Sequence, residues 1–177
     1  MAQPFSVEFR AGTTGEWAID SIRPVVGESL PVAERLTTVA GGAAIWCLRG
    51  VVSHERYVTA VEQRDLRARQ PELGRPTANR AALIPIRKNP AWWSLAQDDR
   101  RAVFEERSHH IRTGMQYLPA VARRLHHCRD LGEPFDFLTW FEYAEQDAPA
   151  FEELVRTLRG TAEWSYVDRE VDIRLSP

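Results

Sequence analysis

The five histidines fall in three places: His54, the pair His109 and His110, and the pair His126 and His127, which Cys128 follows. Imidazole titrates near neutral pH and ligates transition metals, so two adjacent pairs raise the question of a metal site. Neither HExxH nor CxxC occurs, and a non-haem ion held by His126, His127 and Cys128 therefore has little support. His110 shares helical spacing with Val103, Phe104, Ile111, Gly114 and Tyr117, an apolar stripe that leaves His109 nearer its edge. Spacing alone leaves two readings open for His110, a buried imidazole bonded to a backbone carbonyl or a ligand facing a site. Gly114, one turn later, leaves a shallow place where a flat molecule could approach.

Other side chains are read in the same way. Arg123 and Arg124 follow the break at Pro119, and with His126 through Asp130 they make a polar run suited to one solvated face of a short helix. Trp92 and Trp93 are adjacent, so they point to different sides and suit a core or an interface. Glu163 stands alone before Trp164, where an isolated carboxylate is usually solvated. Of 23 basic residues, only Lys88 is lysine. Coding bias explains the scarcity but not the position.

These residues need elements to hold them. Phe5 to Arg10, Glu16 to Val26 and Val39 to Val52 read as strands separated by turns, and Ser53 to Gln70 reads as a helix. A linker, Pro71 to Thr77, precedes a strand from Ala81 to Ile86 and a loop around Pro90. Ser94 with Gln97 signals a capping box opening a long helix to about Tyr117. Phe135 to Tyr143 reads as a strand with Phe135, Phe137, Phe141 and Tyr143 on one face. Asp147 caps a helix whose Phe151, Leu154, Val155 and Leu158 form a stripe ended by Gly160. Trp164 to Arg174 closes as a strand, with Val167, Val171 and Ile173 inward and Asp168, Glu170 and Asp172 outward. The expected architecture is α+β, with a half over 1–76 and a second half over 77–177 packing sheet to sheet in one compact unit.

Composition sets the outer bounds. With 177 residues, 44% of them apolar, the chain can bury a sizeable core without disulfides. A net charge of -2 supplies no broad attraction for nucleic acid or an anionic membrane. The N-terminus has no signal-like pattern and no 18-residue apolar run occurs, so a cytoplasmic protein is expected. Cys47 and Cys128 offer neither a disulfide framework nor a covalent haem attachment motif.

Several segments in order, Ala81 to Trp93, Phe104 to His110, Tyr117 to Glu142 and Glu163 to Leu175, resemble the chlorite dismutase family of haem b proteins, in particular its short dimeric lineage with a reduced N-terminal half. The likeness is close over 79–175. In the first half it rests on strand order and on the Arg49-Gly50-Val51 and Arg56-Tyr57 patches. The resemblance implies ferredoxin-like halves forming a dimeric α+β barrel, with non-covalent haem b as cofactor. It makes His110 the proximal iron ligand, because His110 lies 13 residues before the distal Arg123. Glu163 becomes the acceptor for the other imidazole nitrogen, Lys88 a neighbour of that network, and Trp92 and Trp93 the pair bordering the haem. Gln70 becomes a distal partner of Arg123, and Tyr117 and Leu118 join the cofactor-binding set.

The implied reaction is chlorite O2-lyase chemistry: oxygen transfer from chlorite to ferric iron gives a ferryl species and hypochlorite, which recombine to chloride and dioxygen. A carboxylate on the far imidazole nitrogen pushes electron density to the metal, and an always-charged arginine attracts a small anion. Two alternatives stand beside it, a coproheme decarboxylase and a haem-binding module with weak peroxidase activity. The decarboxylase branch lacks the distal arginine and uses a reactive tyrosine, so Arg123 argues against it. A homodimer is expected on the same resemblance.

Overall fold

The computed structural model describes residues 6–52 and 55–177, which leaves His54 and the start of the predicted helix at Ser53 outside it. Eight strands, β1 (Ser6–Gly12), β2 (Trp17–Val26), β3 (Arg35–Thr37), β4 (Trp46–Val52), β5 (Arg80–Lys88), β6 (Ala122–His127), β7 (Phe137–Tyr143) and β8 (Val167–Ser176), close into one barrel. Their order around it is β1-β3-β2-β8-β5-β7-β6-β4, and every neighbouring pair is antiparallel.

This corrects the expected pair of ferredoxin-like α+β halves. The strands β8, β5, β7 and β6 do form a sheet, but neither of its edges is free: β2 pairs with β8 and β4 pairs with β6. Closure satisfies the edge N–H and C=O groups that two separate sheets would leave exposed. The result is a closed eight-stranded antiparallel barrel with few helices.

Strand alternation gives the barrel two cores. The inner one gathers Phe9, Leu36, Leu48, Leu83, Leu138, Trp140, Val171 and Ile173. The outer one joins Ala82, Ile84, Ile86, Phe141 and Tyr143 to the stripe Phe151, Leu154, Val155 and Leu158 of α5 (Ala148–Arg159 in chain order after four other helices). That stripe is as the periodicity predicts. Each such side chain contributes about 1.5–3 kcal/mol on burial. Phe135 departs from the prediction: it precedes β7 and packs in the inner core, away from Phe141 and Tyr143.

The remaining helices differ from their expected extents. The first, α1, runs only over Ala60–Arg69, because Thr59 and Glu62 form the reciprocal capping box there. Pro90 opens α2 (Pro90–Ser94), with the Asn89 side chain accepting from Trp92 N; proline suits a first helical turn, where its missing N–H costs nothing. The long helix does not exist. Ser94 Oγ donates to Pro90 O instead of capping, and the segment splits into α3 (Gln97–Arg101), a π-helical stretch over Ala102–Arg107 and α4 (His110–Met115). His109 at φ 53° is left-handed and ends the run. Arg123 to His127 is strand, not helix, because it pairs along its length with β7 and at its end with β4. Asp147 makes no side-chain cap, and Pro149 in the first turn starts α5.

Strand β8 keeps Val171 and Ile173 inward, but Glu170 and Asp172 are not solvated. Both are 1% exposed and receive Arg159, at 2.8 Å each. Val167 belongs to the outer core.

Candidate functional site

The outer face of β5, β7 and β6, roofed by α1, the π-helical stretch and α4, encloses a cavity of about 290 Å³. His110, Arg123, Gln70, Lys88 and Glu163 all line it, among Val52, Ile86, Leu125 and Phe137. A second cavity of about 70 Å³ shares His110, Ile86, Arg123, Thr139 and Trp164 with the first.

His110 is the first residue of α4. Its Nδ1 lies 2.7 Å from Glu163 Oε2, and Lys88 Nζ donates to Glu163 Oε1 at 2.7 Å. Glu163, on a 3-10 turn over Ala162–Tyr166, is 2% exposed, so it is not the solvated loop carboxylate that its isolation suggested. Burial pushes its carboxyl up, but the charges and hydrogen bonds of His110 and Lys88 outweigh that and hold it down at about 2. Burial pushes the Lys88 ammonium down, and Glu163 opposes it. The pair is thus a buried ion pair with every charge engaged. Lys88 also sits 3.5 Å from the Trp92 ring centroid, a cation–π contact.

Several residues that sequence reasoning missed fix this arrangement. Glu105, 9% exposed, accepts from Ile111 N at 2.7 Å and Arg112 N at 3.3 Å. It thereby caps the helix that His110 begins, a task its left-handed predecessor His109 does not perform. Ser108 Oγ accepts from Glu163 N at 3.0 Å, tying the turn to the helix break. Phe104 stacks on His110 at 4.3 Å between centroids, and Trp164 lies near-parallel at 6.4 Å. Asp136 accepts from Lys88 N at 2.8 Å and Trp93 Nε1 at 3.2 Å. Glu105, Asp136 and Ser108 carry no motif of their own, and only the surrounding segment marks them.

Arg123 is half-buried on β6, and burial lowers its guanidinium to about 10, still charged at neutral pH. Its Nη1 donates to Gly114 O at 3.1 Å. A Cβ at Gly114 would lie 2.7 Å from both terminal nitrogens, so the glycine is what seats the guanidinium. The shallow place on α4 is therefore taken by Arg123. Since Gly114 and His110 share one helix, Arg123 here reaches toward the His110 side. Gln70 Nε2 donates to Arg123 O at 2.5 Å, a bond to the backbone and not to the guanidinium.

The other expected residues lie around this centre. Trp92 is fully buried behind Lys88, and Trp93 stacks on Phe137 at 6.0 Å; neither lines the cavity in this conformation. Tyr117 packs on the outer core beside α5, and Leu118 follows it outside the cavity lining. His126 and His127 point to opposite faces of β6, one bonded to Leu138 O and the other to Arg56, so they cannot share an ion. Among the described residues no cluster of three or more His, Cys, Asp or Glu could hold a metal.

The donor set fits a haem. His110 has one nitrogen engaged by Glu163 and the other turned to a largely apolar cavity, the arrangement of an axial imidazole. Tyr57, which also lines the cavity, has a buried hydroxyl with no hydrogen-bond partner among the described residues, a donor suited to a carboxylate arm.

Residues 35–176 match the family model described as chlorite dismutase. The crystal structure of dimeric chlorite dismutases from Nitrobacter winogradskyi is 57% identical, with a TM-score of 0.92 over 98% of this chain and 100% of that one. A chlorite dismutase from Candidatus Nitrospira defluvii, in a complex with imidazole, is 28% identical with a TM-score of 0.60, over 75% of this chain and 55% of that one. The curated chlorite dismutase of Ideonella dechloratans is 34% identical over 86 residues, which is 49% of this chain and 28% of that protein. The chain thus aligns with little more than a quarter of that curated relative's length. With the family model spanning most of its residues, this chain belongs to the chlorite dismutase family.

Proposed function

We propose that this chain is a haem b enzyme that converts chlorite to chloride and dioxygen, working as a homodimer in the cytoplasm. The observation that carries the reading is the buried relay His110–Glu163–Lys88 opening on a cavity that also holds Arg123. The dimeric relative matched over its whole length supports the oligomeric state, and two unpaired cysteines suit a reducing compartment.

Haem, when bound, supplies the redox-active iron that exchanges oxygen with chlorite. The chain's own residues do the rest. His110 Nε2 would hold the iron, and Glu163 accepts a hydrogen bond from Nδ1, which raises the donor strength of the ring. Lys88 limits that effect, since the charge it places on Glu163 Oε1 weakens the carboxylate's pull on the imidazole proton. Glu105 and Ser108 hold the imidazole's helix and its acceptor in register. The apolar wall of Ile86, Leu125 and Phe137 lowers the polarity around the site and strengthens each charge beside it. Arg123 draws in the chlorite anion and retains the anionic product beside the reacting centre. That role would require release of its guanidinium from Gly114 O, which lies on the same helix as His110.

An oxygen electrode tests the reading: the haem-loaded protein releases dioxygen when chlorite is added, and no release contradicts it. The unpartnered Tyr57 hydroxyl in the same cavity favours one second reading, decarboxylation of a haem precursor. Loss of carbon dioxide from coproheme with peroxide, seen by mass spectrometry, would identify that activity; Arg123 in the cavity wall speaks against it.

A further inference from the structure

The site above uses one face of β6 and β7, and the other face lines a second cavity. Alternation sends Arg123 and Leu125 to the helix-covered side and sends Arg124 and His126 into the barrel, where Trp140 and Glu142 stand beside them. The inner cavity has a volume of about 350 Å³ and is bounded by Phe9, Trp17, Arg124, His126, Trp140 and Glu142. That is the size of sites that take small organic ligands.

The chemical state of its polar groups is defined. His126 is 2% exposed, and its Nδ1 lies 3.0 Å from Leu138 O. A carbonyl only accepts, so Nδ1 carries the proton and Nε2 presents a lone pair. Nε2 has no hydrogen-bond partner among the described residues. Burial, together with the charge of Arg124, keeps the ring neutral. Arg124 makes no ion pair or hydrogen bond among the described residues. Glu142 is already occupied: Trp140 Nε1 donates to Oε1 at 2.8 Å and Gly74 N to Oε2 at 2.6 Å. A cation with no partner among the described residues and an imidazole acceptor thus line one aromatic-walled cavity.

We infer that this inner cavity binds a small organic monocarboxylate with a flat apolar body and one O–H or N–H donor. The carboxylate pairs with Arg124, whose planar fork matches it. The donor meets His126 Nε2, and the body packs against Phe9 and the indoles of Trp17 and Trp140. Glu142 repels a second negative charge and Arg124 repels a cation, which restricts the ligand to a single negative charge. Arg124 borders both cavities, but His126, Glu142 and the rings of Phe9, Trp17 and Trp140 line only the inner one, so a ligand held by them lies apart from the His110 face.

Calorimetric titration of the haem-loaded protein with 4-hydroxybenzoate tests this, with benzoate and phenol as probes lacking one group each. Saturable binding of one molecule per chain is expected, weaker by about tenfold for either partial probe and in Arg124→Gln, and unchanged in Arg123→Gln. Should Arg124→Gln fail to fold, perturbation of the Trp17 and Trp140 indole resonances in the unaltered protein decides the location. Absence of saturable binding, unperturbed indoles, or binding lost in Arg123→Gln and kept in Arg124→Gln would overturn the inference.

Discussion

The His110 wall of the cavity and the Arg123 wall are held in opposite ways. His110 is stacked on Phe104, bonded through Glu163 to Lys88, and carried by a helix that Glu105 caps. Among the described residues Arg123 has one bond from its guanidinium, to a backbone carbonyl, and it rests in the space that the missing Gly114 side chain leaves. An axial ligand must keep one orientation and one electronic state, and a buried, fully satisfied network does that. A cation that meets a mobile anion gains nothing from such a network, since each fixed partner would compete with the substrate. The contrast separates a preorganised wall from a responsive one.

The largest effect should come from breaking the fixed wall at its centre. Glu163→Gln removes the carboxylate paired directly with the buried Lys88 ammonium, and about 3–5 kcal/mol of stability should be lost in denaturant titration of the haem-free chain. The same carboxylate sets an acid limit. Its folded value of about 2 lies below the ordinary 4.5, so its contribution is complete above 4.5 and disappears as pH falls toward 2. Denaturation midpoints measured across that window should drop in the natural protein and flatten in Glu163→Gln.

Lys88→Arg should cost about 2 kcal/mol, because a larger planar group must enter a space 7% exposed between Glu163 and Trp92. An unchanged midpoint would assign the single lysine to coding chance. Gly114→Ala probes the responsive wall. Its methyl displaces the guanidinium, which should destabilise the haem-free chain by roughly 1–2 kcal/mol but spare the haem-loaded one. Equal losses in both states would mean that Arg123 never leaves Gly114. Glu105→Gln should cost least, about 1 kcal/mol, with faster amide exchange at Ile111 as its signature.

The same contrast explains what could be read from the chain beforehand. The α5 stripe and the inward Val171 and Ile173 follow from periodicity alone, because each buries one regular face. His110, Glu163, Lys88 and Arg123 came through family resemblance, and the cavity brings them together. Barrel closure was hidden, since pairing of β2 with β8 and of β4 with β6 spans long stretches of sequence that carry no local signal. The helix break was hidden as well: a capping signal at Ser94 and apolar spacing through Tyr117 favoured one helix, and only the Glu105 and Ser108 contacts account for the left-handed His109. Glu170 and Asp172 read as solvent-facing because nothing local announced Arg159 as their partner.

The most direct test of the account is a haem titration of the chain followed by its Soret absorption, with His110→Ala and Arg123→Ala beside the natural protein. The account predicts a one-to-one endpoint in the natural protein and in Arg123→Ala, and loss of that endpoint or of the imidazole-ligated spectrum in His110→Ala. Equal haem binding by His110→Ala, with the same spectrum, would contradict it.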